Sequence, residues 1–377
     1  MASFLAWLSV LSPWLQIPLI IGVFAAAVGI LLFFIEIAPR AGRMYTLIRL
    51  AACVLFPLGV MWALQSWWWA ILAAGVLGLL FFWLDYRAKE GAGYLFQLVG
   101  FLAPALILLL VGLVFPVIQT VGQSMLNSSG TRFVGLDNFL WIFTRPQGIR
   151  TILNTIVWVL IAPVASTLIG LVYAYFIDKS RGEKVYKILV FMPMAISFVG
   201  ASIIWRFMYT ARPAGAEQIG FVNQVIVWLG GSPVPFLQVE PWNTLFLIIV
   251  FVWIYTGFAM VVLSAAIKGV PTEQLEAAEL DGANAYERFM NVVVPGIRPS
   301  IVVVLTTIAI ASMKIFDIVR TMTAGANNTS VIANEMYQQF RSFEAGRSAA
   351  YAVILFVLVL PLVIYNARQI KAQREVR

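Results

Sequence analysis

Nine runs of roughly 20 apolar residues punctuate this chain, at 17–37, 47–65, 67–84, 94–119, 151–177, 188–209, 243–267, 297–317 and 348–366, and few charges interrupt any of them. A run of that length has no polar face to show to water. In a bilayer core about 30 Å thick it closes its backbone hydrogen bonds internally as a helix. The expected fold is therefore all-α, a polytopic membrane protein of about nine transmembrane helices. Composition agrees, since 62% of the residues are hydrophobic and only 11% are charged, against about a quarter charged in a soluble domain. Aqueous parts must be small. The segments 120–150, 210–242 and 318–347 are rich in Gly, Pro, Ser and Asn, and each is long enough for short surface helices but too short for a domain.

Several chemistries are excluded by the residues at hand. Cys53 is the single cysteine and there is no histidine, so disulfide scaffolds, thiolate zinc sites and imidazole acid–base catalysis have no basis, and neither a catalytic nor a metal site is expected. No Gly-x-x-x-x-Gly-Lys-Ser/Thr loop occurs, and the chain has no Gly-Lys pair at all, so it lacks the phosphate cradle of an ATPase. The excess of 25 Lys and Arg over 17 Asp and Glu has no basic run that would suit nucleic acid. Topology accounts for it. The segments 38–49, 85–93, 178–187, 268–298 and 367–377 hold 16 of those 25 basic residues, which by the positive-inside rule makes them cytoplasmic, the N-terminus external and the C-terminal "NARQIKAQREVR" internal. No charge precedes Glu36, so the first run reads as a retained span.

One stretch departs from the apolar pattern. "EAAELDGANAYERFMNVVVPGIRP", Glu276–Pro299, places Glu276, Glu279, Asp281 and Glu287 together, with Gly282 inside and Pro295 and Pro299 at its end. Pro271 suits a helix start and "TEQLEAAEL" is made of good helix formers. Asp281-Gly282 then breaks the pattern, a second polar helical stretch follows to Phe289, and the prolines mark re-entry toward the membrane. Two short helices with a bend at Gly282 are expected at the membrane surface, with Ala277, Ala278 and Ala283 as a small-residue face.

This segment resembles, position for position, the EAA loop of ABC-importer permeases, through Glu276, Ala277, Ala278, Asp281, Gly282, Ala283, Phe289, Pro295 and Pro299. The resemblance implies a coupling helix within 271–299 that docks on an ATP-hydrolysing subunit. It extends further: residues 94–377 look like the six-helix core of the maltose-transporter-type sugar permeases, with "RFVGLDNFLWIF" and "MKIFDIVRTMTAG" similar to recurrent stretches of that group. Residues 1–93 would then be a three-helix membrane extension ahead of a type I importer core. The implied partners are a second homologous permease, two ATPase subunits, a periplasmic or extracellular solute-binding protein and membrane lipid, with no nucleic acid. ATP and Mg would sit on the partner ATPase and no cofactor on this chain. The implied location is the bacterial cytoplasmic (inner) membrane.

The same resemblance places solute-contacting positions on Phe251, Ile254, Tyr255 and Phe258, on Ile308, Ala311, Ser312 and Ile315, and on Met194 and Phe198. The first two sets each follow helical spacing, so each occupies one face. Sugars pack apolar C–H faces on aromatic rings and require hydrogen bonds at their hydroxyls; Tyr255 and Ser312 bring both a body and a polar tip. Amide side chains found in relatives are replaced here by Phe251, Ile315 and Ser312. The polar stretch 320–340 resembles the subgroup handling alpha-glucosides and would face a binding protein outside. The alternative is an ion-coupled secondary sugar transporter, which would need ion-coupling groups or broken helices near the midplane.

Overall fold

The computed structural model describes residues 109–375. The three extra helices expected over 1–93, Cys53 and most of the run 94–119 lie outside the described residues. The chain divides into two compact units, Met1–Pro116 and Val117–Arg377, and the second holds nearly all of the described residues.

Among the described residues the secondary structure is helical, with one isolated β-bridge between Leu126 and Phe133. In chain order the helices are α1 (Phe115–Ser124), α2 (Asp137–Thr144), α3 (Pro146–Ile177), α4 (Glu183–Phe191), α5 (Phe198–Met208), α6 (Phe221–Trp228) and α7 (Asn243–Lys268). They continue with α8 (Thr272–Leu280), α9 (Ala285–Arg288), α10 (Arg298–Met313), α11 (Asp317–Met322), α12 (Ile332–Arg341) and α13 (Ala345–Glu375). Three of them are long and apolar enough to cross a membrane: α3, α7 and the Ala345–Arg368 part of α13. Two further candidates are bent pairs, α4 with α5 at 101° and the Ala285–Gly296 segment with α10 at 68°. The short helices α2, α6, α11 and α12 occupy, apart from the first residue of α11, the segments expected to carry surface helices.

The run 188–209 is thus not the single uninterrupted span that its hydropathy suggests. Pro193 lies in a short 3-10 turn, Met192–Ala195, where its ring removes a backbone donor. Ile196 is extended, and the Ser197 hydroxyl accepts from the Gly200 amide at 3.1 Å, starting a fresh helix with an N-cap.

Small residues build the centre. Along α3, Ala162, Ser166, Gly170 and Ala174 recur every fourth position and are all buried, a spacing that lets helix backbones approach closely in lipid. A Cβ on Gly170 would come within 2.5 Å of the Ala259 Cβ on α7. Trp158, Leu247, Phe251, Met260, Leu263 and Ile308 fill the remaining core around this α3–α7 contact, with α10 packed on both helices.

Candidate functional site

The acidic segment is an elbow whose two arms are capped by their own sequence. α8 ends with Gly282 at φ +85°, a left-handed conformation open to glycine at little cost. The Ala283 amide donates to the Ala278 carbonyl and the Gly282 amide to that of Glu279, both at 3.0 Å, a Schellman closure. At the start of α9, Asn284 Oδ1 accepts from the amides of Tyr286 and Glu287 at 3.0 and 2.9 Å, while Glu287 Oε2 accepts from the Asn284 amide at 2.8 Å. That reciprocal capping box holds the second arm, and an Arg288–Glu279 ion pair crosses the bend.

Glu276, Ala277, Glu279, Leu280, Asp281, Gly282, Tyr286 and Glu287 are all exposed, and no residue of α8 is buried. Leu280 stands 89% in the open, a large apolar side chain with nothing over it at the tip of an acidic arm. Ala278 and Ala283 are half-buried at the bend. On the inner side, Phe289 packs on Tyr175 of α3 with ring centroids 4.4 Å apart. Pro295 sits in the turn Val294–Gly296 and Pro299 in the first turn of α10, where the chain bends back into the bundle.

A second grouping forms where the broken α4–α5 pair meets α7. Phe198, which opens α5, lies parallel to Phe251 (6.0 Å, 2°) and near Tyr255 (6.1 Å, 26°). Phe251 stacks on Tyr255 at 4.4 Å, Phe258 meets Tyr255 edge-on, and Trp158 of α3 meets Phe251 edge-on. Phe198, Tyr255 and Phe258 are half-buried and Met194 is exposed, whereas Phe251 and Ile254 are buried. On α10, Ile308 and Ser312 are buried and Ala311 is half-buried; Ile315, expected on the same helix face, is also buried but lies two residues past the helix end at Met313, where the chain turns out of the helix at Lys314. The Ser312 hydroxyl donates to the Ala309 carbonyl at 2.9 Å, so its hydrogen is spent within its own helix. Accessible aromatic surface here therefore comes from Phe198, Tyr255 and Phe258.

At the opposite end of α7 from the elbow, the polar stretch 320–340 is knitted shut. Asn154 Nδ2 donates to the carbonyls of Asn328 and Ser330 at 2.6 and 2.9 Å, and Asn243 Nδ2 to that of Asn327 at 2.6 Å. Asn328 in turn donates to Glu240, which pairs with Arg150 at 3.6 Å. Ala324, Asn327 and Asn328 adopt positive φ, a strain that persists only because these amides over-determine the loop. Arg206, in the last turn of α5, donates to the Thr321 carbonyl, and Arg320 lies over the Tyr337 ring.

Comparison with known proteins decides what kind of machine these parts belong to. A profile of the family described as "binding-protein-dependent transport system inner membrane component" matches residues 166–375. The chain belongs to this family. Within it, the chain is 46% identical over 270 residues to the alpha-glucoside transport system permease protein AglF of Rhizobium meliloti, covering 71% of this chain and 80% of that one. It is 43% identical over 280 residues to the osmoprotective compounds uptake permease protein GgtC of Synechocystis, covering 74% of this chain and all of that one. Its fold is that of a chain in a bacterial ABC transporter for alginate import, with a TM-score of 0.63 at 24% identity over 72% of this chain and 94% of the other. The inner membrane component of such a system is a multi-pass permease rather than a catalytic subunit, in keeping with the exclusions drawn from composition.

One cluster in this permease escaped sequence reasoning. At the elbow end of α7, the Asp178 side chain accepts from Ser264 (2.8 and 2.9 Å) and lies 2.6 Å from Lys187. Lys187 also reaches Glu183 at 2.8 Å and the Ser264 hydroxyl at 2.6 Å, and Lys268 completes the group on Glu183. Asp178 and Ser264 are 86 positions apart, and no local spacing signals that they meet.

Proposed function

We propose that this permease passes a saccharide or glycoside of the alpha-glucoside class across the inner membrane, with its N-terminus outside and its C-terminus in the cytoplasm. The observation that carries the substrate class is the 46% identity to an alpha-glucoside permease over most of both chains; the Phe198–Phe251–Tyr255 grouping, suited to the apolar face of a sugar ring, supports it. A soluble solute-binding protein delivers the solute. A second homologous permease completes the path, and two separate ATPase subunits hold ATP and Mg. The elbow is their docking element, presenting Glu276, Ala277, Ala278, Asp281, Gly282 and Ala283, with Phe289 and Pro295 anchoring it to the bundle. Tyr255, Phe258, Phe198, Met194 and Ala311 meet solute directly, backed by Phe251, Ile254, Ser312 and Ile315. Solute shifts the inward–outward equilibrium by binding the two states unequally.

The test is reconstitution of the permease pair, ATPases and binding protein in liposomes, with ATPase stimulation measured as the binding protein is loaded from a panel of alpha-glucosides, other saccharides and osmoprotective solutes. Stimulation confined to alpha-glucosides is the expected result. Uptake that persists when the ATPase subunits are left out overturns the reading in favour of an ion-coupled carrier.

A further inference from the structure

The cluster at Asp178 joins three elements at the point where α7 hands over to the elbow. Asp178 directly follows α3, Glu183 and Lys187 belong to α4, and Ser264 and Lys268 close α7 three residues before Pro271. Two acids face two bases, so the group is neutral as a whole. The Asp178 side chain is 9% exposed and Ser264 is buried, which shields this part of the cluster from the salt that weakens ion pairs in open water.

A second joint fixes the same two helices further along. A Cβ on Gly257 would lie 2.6 Å from the Val190 carbonyl oxygen and 2.8 Å from the Phe191 Cα, so α4 and α7 touch backbone to backbone there. Ser264 is seven residues away on α7, about 10 Å along a helix axis. Two fixed points at that separation block both sliding and rotation of α4 against α7. Beyond Phe191 the chain enters the Met192–Ala195 turn, and Phe198 then returns to stack on Phe251 and Tyr255 of α7. The adaptable joint in this circuit is the 101° break at Ile196–Ser197.

We propose that Asp178, Ser264, Lys187, Glu183 and Lys268 form a transmission clamp. It makes α4 and α7 one lever, so that displacement of the elbow reaches the aromatic grouping instead of dissipating where α7 leaves the bundle. These are positioning residues: none touches solute, and each acts by holding one helix to another. The proposal rests on the reading of 271–299 as the coupling elbow.

Ser264 offers a sharp probe, because threonine and valine are nearly equal in shape and differ in the hydroxyl. In the complete reconstituted complex, Ser264→Thr is expected to keep the wild-type ratio of solute taken up per ATP hydrolysed. Ser264→Val and Asp178→Asn are expected to lower that ratio at least threefold while complex yield and solute-stimulated hydrolysis stay near wild type. The clamp is refuted if Ser264→Val matches Ser264→Thr, or if all variants lose uptake and hydrolysis in proportion, the signature of a merely structural contact. A cysteine at Glu276 that cross-links to the ATPase in wild type and variants alike separates failure of the clamp from failure of the elbow reading, which would abolish the cross-link in wild type as well.

Discussion

Gly282 allows the elbow to be tested through the backbone alone. Its φ is +85°, yet a Cβ built there meets no atom within 4 Å. Substitution therefore brings no clash, and its whole effect is conformational. An L-residue with an ordinary side chain costs about 1–2 kcal/mol in the left-handed region, which alters the ratio of bent to unbent elbow by a factor of about 5–30. Asparagine is tolerated there far better than alanine, and a β-branched residue worse. Uptake per ATP hydrolysed in proteoliposomes should then fall in the order Gly, Asn, Ala, Val, with Asn close to wild type and Val reduced at least tenfold. Membrane insertion and permease yield should hold throughout, because α8 buries none of its residues. If Val performed as well as Asn, the bend at Gly282 would have no part in coupling; if Asn were as damaged as Val, side-chain bulk rather than backbone would be the cause.

Three other contacts carry expectations of their own. Gly170→Ala would push α3 from α7, since its Cβ falls 2.5 Å from that of Ala259; overpacking of this kind costs about 1–3 kcal/mol, and thermal unfolding of the purified permease in detergent should show a lowered midpoint. Asn154→Ala removes the donor shared by the Asn328 and Ser330 carbonyls; an unpaired buried acceptor costs about 1–3 kcal/mol, so protease should cut 323–331 faster than in wild type while the elbow remains as resistant as before. Tyr255→Ala deletes a ring that stacks on Phe251 at 4.4 Å; a lost aromatic contact of about 0.5–1.5 kcal/mol should raise the KM for uptake by about twofold to tenfold, whereas an unchanged KM would remove Tyr255 from the solute path.

How far the sequence carries depends on whether a feature is local. The spans α3 and α7 are legible because a long apolar run needs no partner to declare itself; α7 at Asn243–Lys268 differs from the expected 243–267 by one residue. α3 starts five residues earlier than its apolar run, at Pro146, because hydropathy does not see the polar first turn "PQGIR". The elbow is legible for the same local reason: Gly282, Asn284 and Glu287 bend and cap the chain with atoms a few residues apart. The break in 188–209 is local too, and its marks are Pro193 and Ser197, but both sit among apolar neighbours and a hydropathy window averages them away. What stays hidden is tertiary choice. Nothing in the order of residues tells that Asp178 waits for a serine 86 positions later.

The broken helix bears on the driving force. A discontinuity beside a transport path is also a hallmark of ion-coupled carriers, where loosened backbone and membrane-embedded carboxylates hold the ion or relay a proton. Its presence at Ile196–Ser197 removes one argument against such a carrier, so the decision falls on the carboxylates. Residues 184–216, 241–272 and 289–316, which contain the break, α7 and α10, include no Asp or Glu. Acids gather instead at the elbow, where Glu273, Glu276, Glu279, Asp281 and Glu287 are all exposed, and in the clamp, where Asp178 and Glu183 are paired with lysines, while the buried Glu335 of α12 accepts from Gln147 at 3.1 Å. Among the described residues, the core around the helix break, α7 and α10 thus has an aromatic surface suited to a solute ring and no carboxylate to carry a proton, while the charge that a protein partner would recognise stands outside, on the two arms joined by Gly282. On the function proposed above, a helix broken next to aromatic rings serves solute contact, and the energy to move it enters from the elbow.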